Sequence, residues 1–317
     1  MSSPLAPPPE PEQLPEPSDR RLPDHATLAT LALVATTAVW GGTFVVVQGA
    51  VERMPVLPFL FWRFALAAAV LLLLRPRALL TLDARRLRHG LILGLLLGSG
   101  YVLQTFGLLH TSATASGFIT GMFVVFTPLL AWALLGQRLA PTVWWGVALA
   151  TLGLGLISLD GLSMGLGDLL TLGCALAFAA HIVGLGQWST PQDAHALTVL
   201  QLAVVAVMCL VASPLDGGMA MPPDSGVWAA IIFLAIAATA LAFLAQTWAQ
   251  AHLPAARAAI VLTLEPVFAG VFGVTLGGDE LTARLVAGGM CILGAMYVVE
   301  FGPRGRRPAP EISPTGR

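Results

Sequence analysis

The chain has 317 residues, of which 56% are hydrophobic and only 10% charged, with a formal net charge of −1. A soluble domain carries about 25% charged residues, so this composition excludes an ordinary water-soluble globule. It also offers no basic surface of any extent for nucleic acid. The three cysteines, Cys174, Cys209 and Cys291, sit singly in apolar runs without a CxxC pair, so neither a metal site nor a disulfide is expected.

In chain order, residues 1–27 form a Pro- and Glu-rich arm with too little apolar content to fold. Apolar runs then recur at 28–49, 56–74, 90–109, 114–135 and 141–159. Five more follow at 167–187, 194–213, 227–250, 256–276 and 282–301. Each approaches the roughly 20 residues a helix needs to cross a bilayer. The expected fold is therefore all-α and integral to a membrane, with ten transmembrane helices. A polar, Arg-rich tail, 302–317, closes the chain.

The basic residues, all arginine, mark one side. Arg20 and Arg21 precede the first span, Arg75, Arg77, Arg85, Arg86 and Arg88 fill the second-to-third loop, and Arg138, Arg257 and a terminal cluster follow the fourth, eighth and tenth. The other side carries Arg53 and Arg284 with Glu52, Asp160, Asp168, Asp216, Asp224, Asp279 and Glu280. The positive-inside bias predicts both termini in the cytoplasm.

A shift of 142 positions lays the chain over itself without a gap. Gln104-Thr105 falls on Gln246-Thr247, Val125-Phe126 on Val267-Phe268, and Gly136, Leu139 and Gly146 on Gly278, Leu281 and Gly288. The units are 28–159 and 166–301, of five spans each. An odd number of spans puts the second copy upside down, and inverted repeats can exchange conformations. Alternating access is favoured over a static pore or a scaffold.

Two charges lie within the spans proper, away from their end residues. Glu265, mid-way along the ninth, is either a coupling carboxylate or a protonated residue at a kink, since Pro266 follows and frees a carbonyl. Arg63 in the second span either snorkels beside Trp62 or pairs with substrate or Glu265. Tyr101, Gln104 and Thr105 share a face of the third span, as Phe243, Gln246, Thr247 and Gln250 do on the eighth. Gln104 and Gln246 could be equivalent parts of two gates, or interhelical polar contacts. Pro128 and Pro266 are expected hinges in the fourth and ninth spans. Ser116, Thr120 and Thr127 form a polar stripe, and Gly90, Gly94 and Gly98 a packing seam. His181, mid-span, is either a neutral polar contact or a proton relay. Gly161-Leu-Ser-Met-Gly165 matches G-x-S-x-G, but a loop between two spans lacks the strand–turn–helix setting the nucleophile needs.

These residues resemble the EamA type of the drug/metabolite transporter superfamily. The resemblance is carried by Val39-Trp40-Gly41-Gly42-Thr43-Phe44, Trp62-Arg63-Phe64, the stretch from Thr111 through Ser116–Gly121 to Thr127-Pro128-Leu129, Leu264-Glu265-Pro266-Val267-Phe268, and Gly278-Asp279-Glu280-Leu281. It implies a central cavity walled by the first, third, fourth, sixth, eighth and ninth helices, and transport of small organic solutes, often outward. Gln137-Arg138 stands where the family has a Gly-Glu pair, and Arg63 has only Val205 as its partner in the second unit.

The function expected is an inner-membrane secondary transporter, an exporter of amino-acid-like or drug-like metabolites, with proton coupling through Glu265 as one version. Cavity candidates are Trp40, Arg63, Tyr101, Gln104, Thr120, His181, Gln246, Trp248 and Glu265. No cofactor, metal or nucleic acid is expected. The partners are substrate and bilayer, with a homodimer allowed. A flippase-like transporter of a lipid-linked substrate, a membrane-embedded enzyme and a non-transporting scaffold are the rivals.

Overall fold

The computed structural model describes residues 25–136, 141–160, 163–190, 193–252 and 261–301. The two tails, Arg20, Arg21, Gln137-Arg138, Arg257, Gly161 and the first part of the expected ninth span lie outside the described residues.

Twelve α-helices are described. They are α1 (His25–Val51), α2 (Val56–Leu74), α3 (Ala84–Gly107), α4 (Ala113–Gly121), α5 (Phe123–Leu135) and α6 (Pro141–Ser158), then α7 (Leu166–Trp188), α8 (Ala194–Ala212), α9 (Ser225–Ala235), α10 (Ala242–His252), α11 (Glu265–Leu276) and α12 (Ala283–Phe301). A two-residue ladder, Leu159–Asp160 with Ser163–Met164, joins α6 to α7. The helices are apolar over nearly their whole circumference, and many large side chains stay exposed, among them Leu73, Trp145, Val211 and Met290. In water that surface would be an aggregation hazard; in lipid it is the solvated face.

Seven stretches among the described residues are long and apolar enough to cross a bilayer, while Pro141–Ile157, Glu265–Leu276 and Ala283–Val299 fall short of that length. The ninth run is short because it is interrupted. Val261 and Leu262 are helical, Thr263 and Leu264 form a turn, and α11 restarts at Glu265. The fourth run is likewise divided at Met122, while Pro128 lies inside α5. The eighth run holds a π-helix, Ile236–Leu241, between α9 and α10.

Polar side chains secure the helix ends. Asp83 caps α3 by accepting from Arg86 N at 2.7 Å, Ser112 caps α4, Asp224 caps α9, and Asp216 accepts from Leu57 N at the start of α2 at 2.8 Å. Gly136 ends α5 in the left-handed conformation, φ 65°.

Packing joins the two sequence units rather than separating them. α3 lies on α7, α2 on α8, α6 on α12 and α4 on α11, while α1 contacts both α10 and α11. Small residues let the backbones approach. An added Cβ at Gly90, Gly94 or Gly98 would come within 2.4–2.6 Å of Leu200, Val204 or Met208 on α8. One at Gly153 would meet the Gly288 carbonyl at 2.6 Å. Contacts run in opposite order along equivalent helices: Leu57 bonds Asp216 while Leu71 bonds His195, and Gly146 faces Val299 while Gly153 faces Cys291. Thus α2 and α8, and α6 and α12, are antiparallel.

Candidate functional site

Two helix interruptions meet at the crossing of α4 and α11. Gly117 stands against Ala269, and Gly121 packs beside Pro266 and Met296. Pro266, at the second position of α11, lacks an N–H that the first turn would not use. Glu265 starts the helix, where a carboxylate faces the positive end of the peptide dipoles. The 142-residue shift lays Leu264 on Met122, so the breaks occupy equivalent places in the two units. Paired discontinuous helices leave backbone groups free at membrane depth, where they can line a solute site.

Around this crossing the side chains become polar. Gln104 Nε2 donates to Thr120 Oγ1 at 3.1 Å, and the buried Cys174 thiol of α7 lies near Thr120. The Glu265 carboxyl lies within electrostatic reach of Cys174 and Tyr101. Tyr101 is held edge-on between Phe64, at 4.7 Å between ring centroids, and Phe178, at 5.2 Å. Gly100 makes room for Phe178, since a Cβ there would sit 2.3 Å from that ring.

Beside Tyr101 and Phe64 lies Arg63. Only 3% of it is exposed. Its guanidinium carbon is 5.0 Å from the Tyr101 centroid and 5.2 Å from that of Phe64. Nη2 donates to Thr239 Oγ1 at a long 3.5 Å, and Nε has no partner. Thr239 belongs to the π-helix and donates to the Leu234 carbonyl five residues back, at 2.8 Å. The same wide turn offers the Ala238 carbonyl to Trp40 Nε1 at 2.8 Å, and Trp40 meets Phe243 edge-on at 5.9 Å. A π-turn interrupts the regular ladder, and such turns are frequent at functional sites. No group of three His, Cys, Asp or Glu suited to a metal occurs among the described residues.

Against known proteins, residues 27–159 and again residues 165–301 match the EamA-like transporter family. The chain belongs to that family. It is 30% identical over 274 residues to an uncharacterized transporter of Archaeoglobus fulgidus, covering 86% of each chain. It is 23% identical over 283 residues to the uncharacterized transporter YoaV of Bacillus subtilis, covering 86% of this chain and 96% of that one. A crystal structure matches with a TM-score of 0.59 at 20% identity, over 86% of this chain and 95% of the other, a likeness of fold alone. As an EamA-family member this is a membrane-embedded transporter.

Of the residues singled out from sequence, Trp40, Arg63, Tyr101, Gln104, Thr120 and Glu265 come together at this EamA core. His181 is buried one turn beyond Phe178 and donates Nε2–H to Gln201 Oε1 at 2.6 Å, tying α7 to α8. The ties described above do not include Gln246, half-buried on α10, or Trp248, 41% exposed. Arg63 and Glu265 form no ion pair; Tyr101 stands in electrostatic reach of both. Sequence reasoning missed Thr239, Gln201 and Met122. Only the last left a signal, since the repeat carries the break before Pro266 onto residue 122.

Proposed function

We propose that this chain is a secondary transporter of small organic metabolites, amino-acid-like or drug-like, that exports them across the inner membrane by alternating access. Ten spans form two inverted five-helix units, 28–159 and 166–301, with the tails 1–27 and 302–317 and both termini in the cytoplasm. The antiparallel packing of α2 on α8 and of α6 on α12 supports the inversion. The observation that carries the functional reading is Glu265 at a helix break, within electrostatic reach of Cys174, with the break of the other unit packed on Pro266. A carboxyl group so placed takes up and releases a proton as the units rock, which couples flux to the proton gradient.

Solute flux in proteoliposomes, with and without an imposed pH gradient, tests this reading. Glu265→Gln is expected to remove the gradient-driven component, about tenfold or more of the rate, while leaving binding within about threefold, since coupling and affinity are separate free energies. An unchanged gradient response in that variant removes Glu265 from the coupling step. Absence of flux for every solute tried in the wild type removes the transporter reading itself.

A further inference from the structure

From the surroundings of Arg63 we infer that this residue is a recognition site for the carboxylate of the transported solute, one whose anionic group sits on an apolar, planar body. The inference deepens the transport reading and rests on it.

A guanidinium carries five N–H donors. Here one hydrogen bond of 3.5 Å to Thr239 is formed and Nε, fully enclosed, has none. No acidic side chain lies within ion-pair distance of Arg63 among the described residues. Aromatic faces offset part of the cost of burial, at about 0.5–2 kcal/mol for each cation–π contact, but they accept no N–H in the guanidinium plane. A charge enclosed at membrane depth is retained where it meets an opposite charge or a solute. The planar fork of donors matches a carboxylate in bidentate fashion, which a spherical anion cannot do.

The setting is built around that fork. The adjoining rings of Tyr101 and Phe64 pack against the guanidinium from one side, and the π-turn brings Thr239 within reach of it. Arg63 and Glu265 form no ion pair, so the cation is left for the solute. Trp40 and Phe178, fixed by the Ala238 carbonyl and by Gly100, add apolar ring surface beside them. In the other unit Val205 occupies the position equivalent to Arg63, so recognition is one-sided and the solute enters with its anionic end toward α2.

The test is binding to purified full-length protein, followed by thermal stability with three isosteric probes: benzoate, benzamide and benzylamine. Benzoate is expected to bind at least tenfold more tightly than the other two, and Arg63→Met to erase that preference. Arg63→Lys, which keeps the charge without the fork, should show an intermediate loss and serves where the methionine variant does not fold. Equal affinities for the three probes, or an unchanged benzoate preference in both variants, overturn the inference. So does competition by chloride at the concentration at which benzoate competes. Gradient-driven flux of a neutral or cationic solute that survives Arg63→Met leaves the transporter reading standing while the carboxylate site falls.

Discussion

Ionisable side chains at mid-bilayer cost about 2.5–3.5 kcal/mol on insertion scales, and each charged residue of this protein meets its surroundings differently. Arg63 is wrapped by aromatic rings, and Glu265 sits on the dipole of a new helix. At the membrane edge the terms are simpler. Asp224 accepts from the backbone N–H of Val227 and Gly226 and pairs with Arg53, and these contacts, the Val227 bond foremost, hold its carboxyl below the usual carboxylate range. A pKa depressed on folding contributes stability that is present above the unfolded value and lost as pH falls through the folded one. The melting-temperature difference between wild type and Asp224→Asn should therefore favour wild type at neutral pH and shrink between about pH 5 and pH 3. A difference that stays constant over that range would count against the capped, paired carboxylate.

Among the elements, α4 and α11 cross closely enough that a single Cβ decides the fit. At Gly117 it would lie 2.3 Å from Ala269 Cβ, whereas at Gly49 on α1 nothing stands within 4 Å. Both glycines are helical, so replacing either with leucine gains about 1 kcal/mol of helix propensity. Gly117→Leu should nevertheless destabilise by about 1–3 kcal/mol through overpacking, and Gly49→Leu should not. Equal melting temperatures for the two variants in detergent would mean that the crossing is loose. The same elements show what composition can and cannot reveal. Spans were legible because apolar runs of bilayer length leave few alternatives, and the break before Glu265 was legible from Pro266. The break at Met122 was signalled only through the repeat, because no proline marks it locally: Pro128, the visible candidate, lies within α5. The π-turn in Ile236–Leu241 is written in alanines and branched residues that suit an α-helix equally well. It is secured by tertiary partners, Trp40 on the Ala238 carbonyl and Arg63 beside Thr239. Gln201 escaped notice for the same reason: a lone glutamine in an apolar run acquires meaning only when His181 is found opposite.

For the whole molecule, the ties at the acidic end, within the first unit and between the two, bear on the proposed transport cycle. Gln48 on α1 donates to the carbonyls of Leu108 and Thr111, both at 3.3 Å. Asp279, just after α11, accepts from Thr114 N at the start of α4 at 2.7 Å. Thr111 in the first unit bonds Asp168 in the second. These contacts clasp α1 and α11 to the α3–α4 connection, above the crossing that carries Glu265. The repeat places Gln137, an uncharged residue outside those described, where Asp279 stands. In the alternating-access reading, weakening the acidic-end clasp should shift the population toward a form open on that side. Each net hydrogen bond contributes about 1 kcal/mol, so losing the three that Gln48 and Asp279 make should raise the open population by about tenfold or more. Cys174, buried against Thr120, reports that opening once Cys209 and Cys291 are replaced by alanine. In sealed vesicles exposing the acidic face, an impermeant maleimide should label Cys174 about tenfold faster in the Gln48→Ala, Asp279→Ala protein. Benzoate should slow that labelling if its site adjoins Tyr101. Labelling at the wild-type rate would show that the clasp does not control access, and the closure would then have to lie in the helix crossing of α4 with α11.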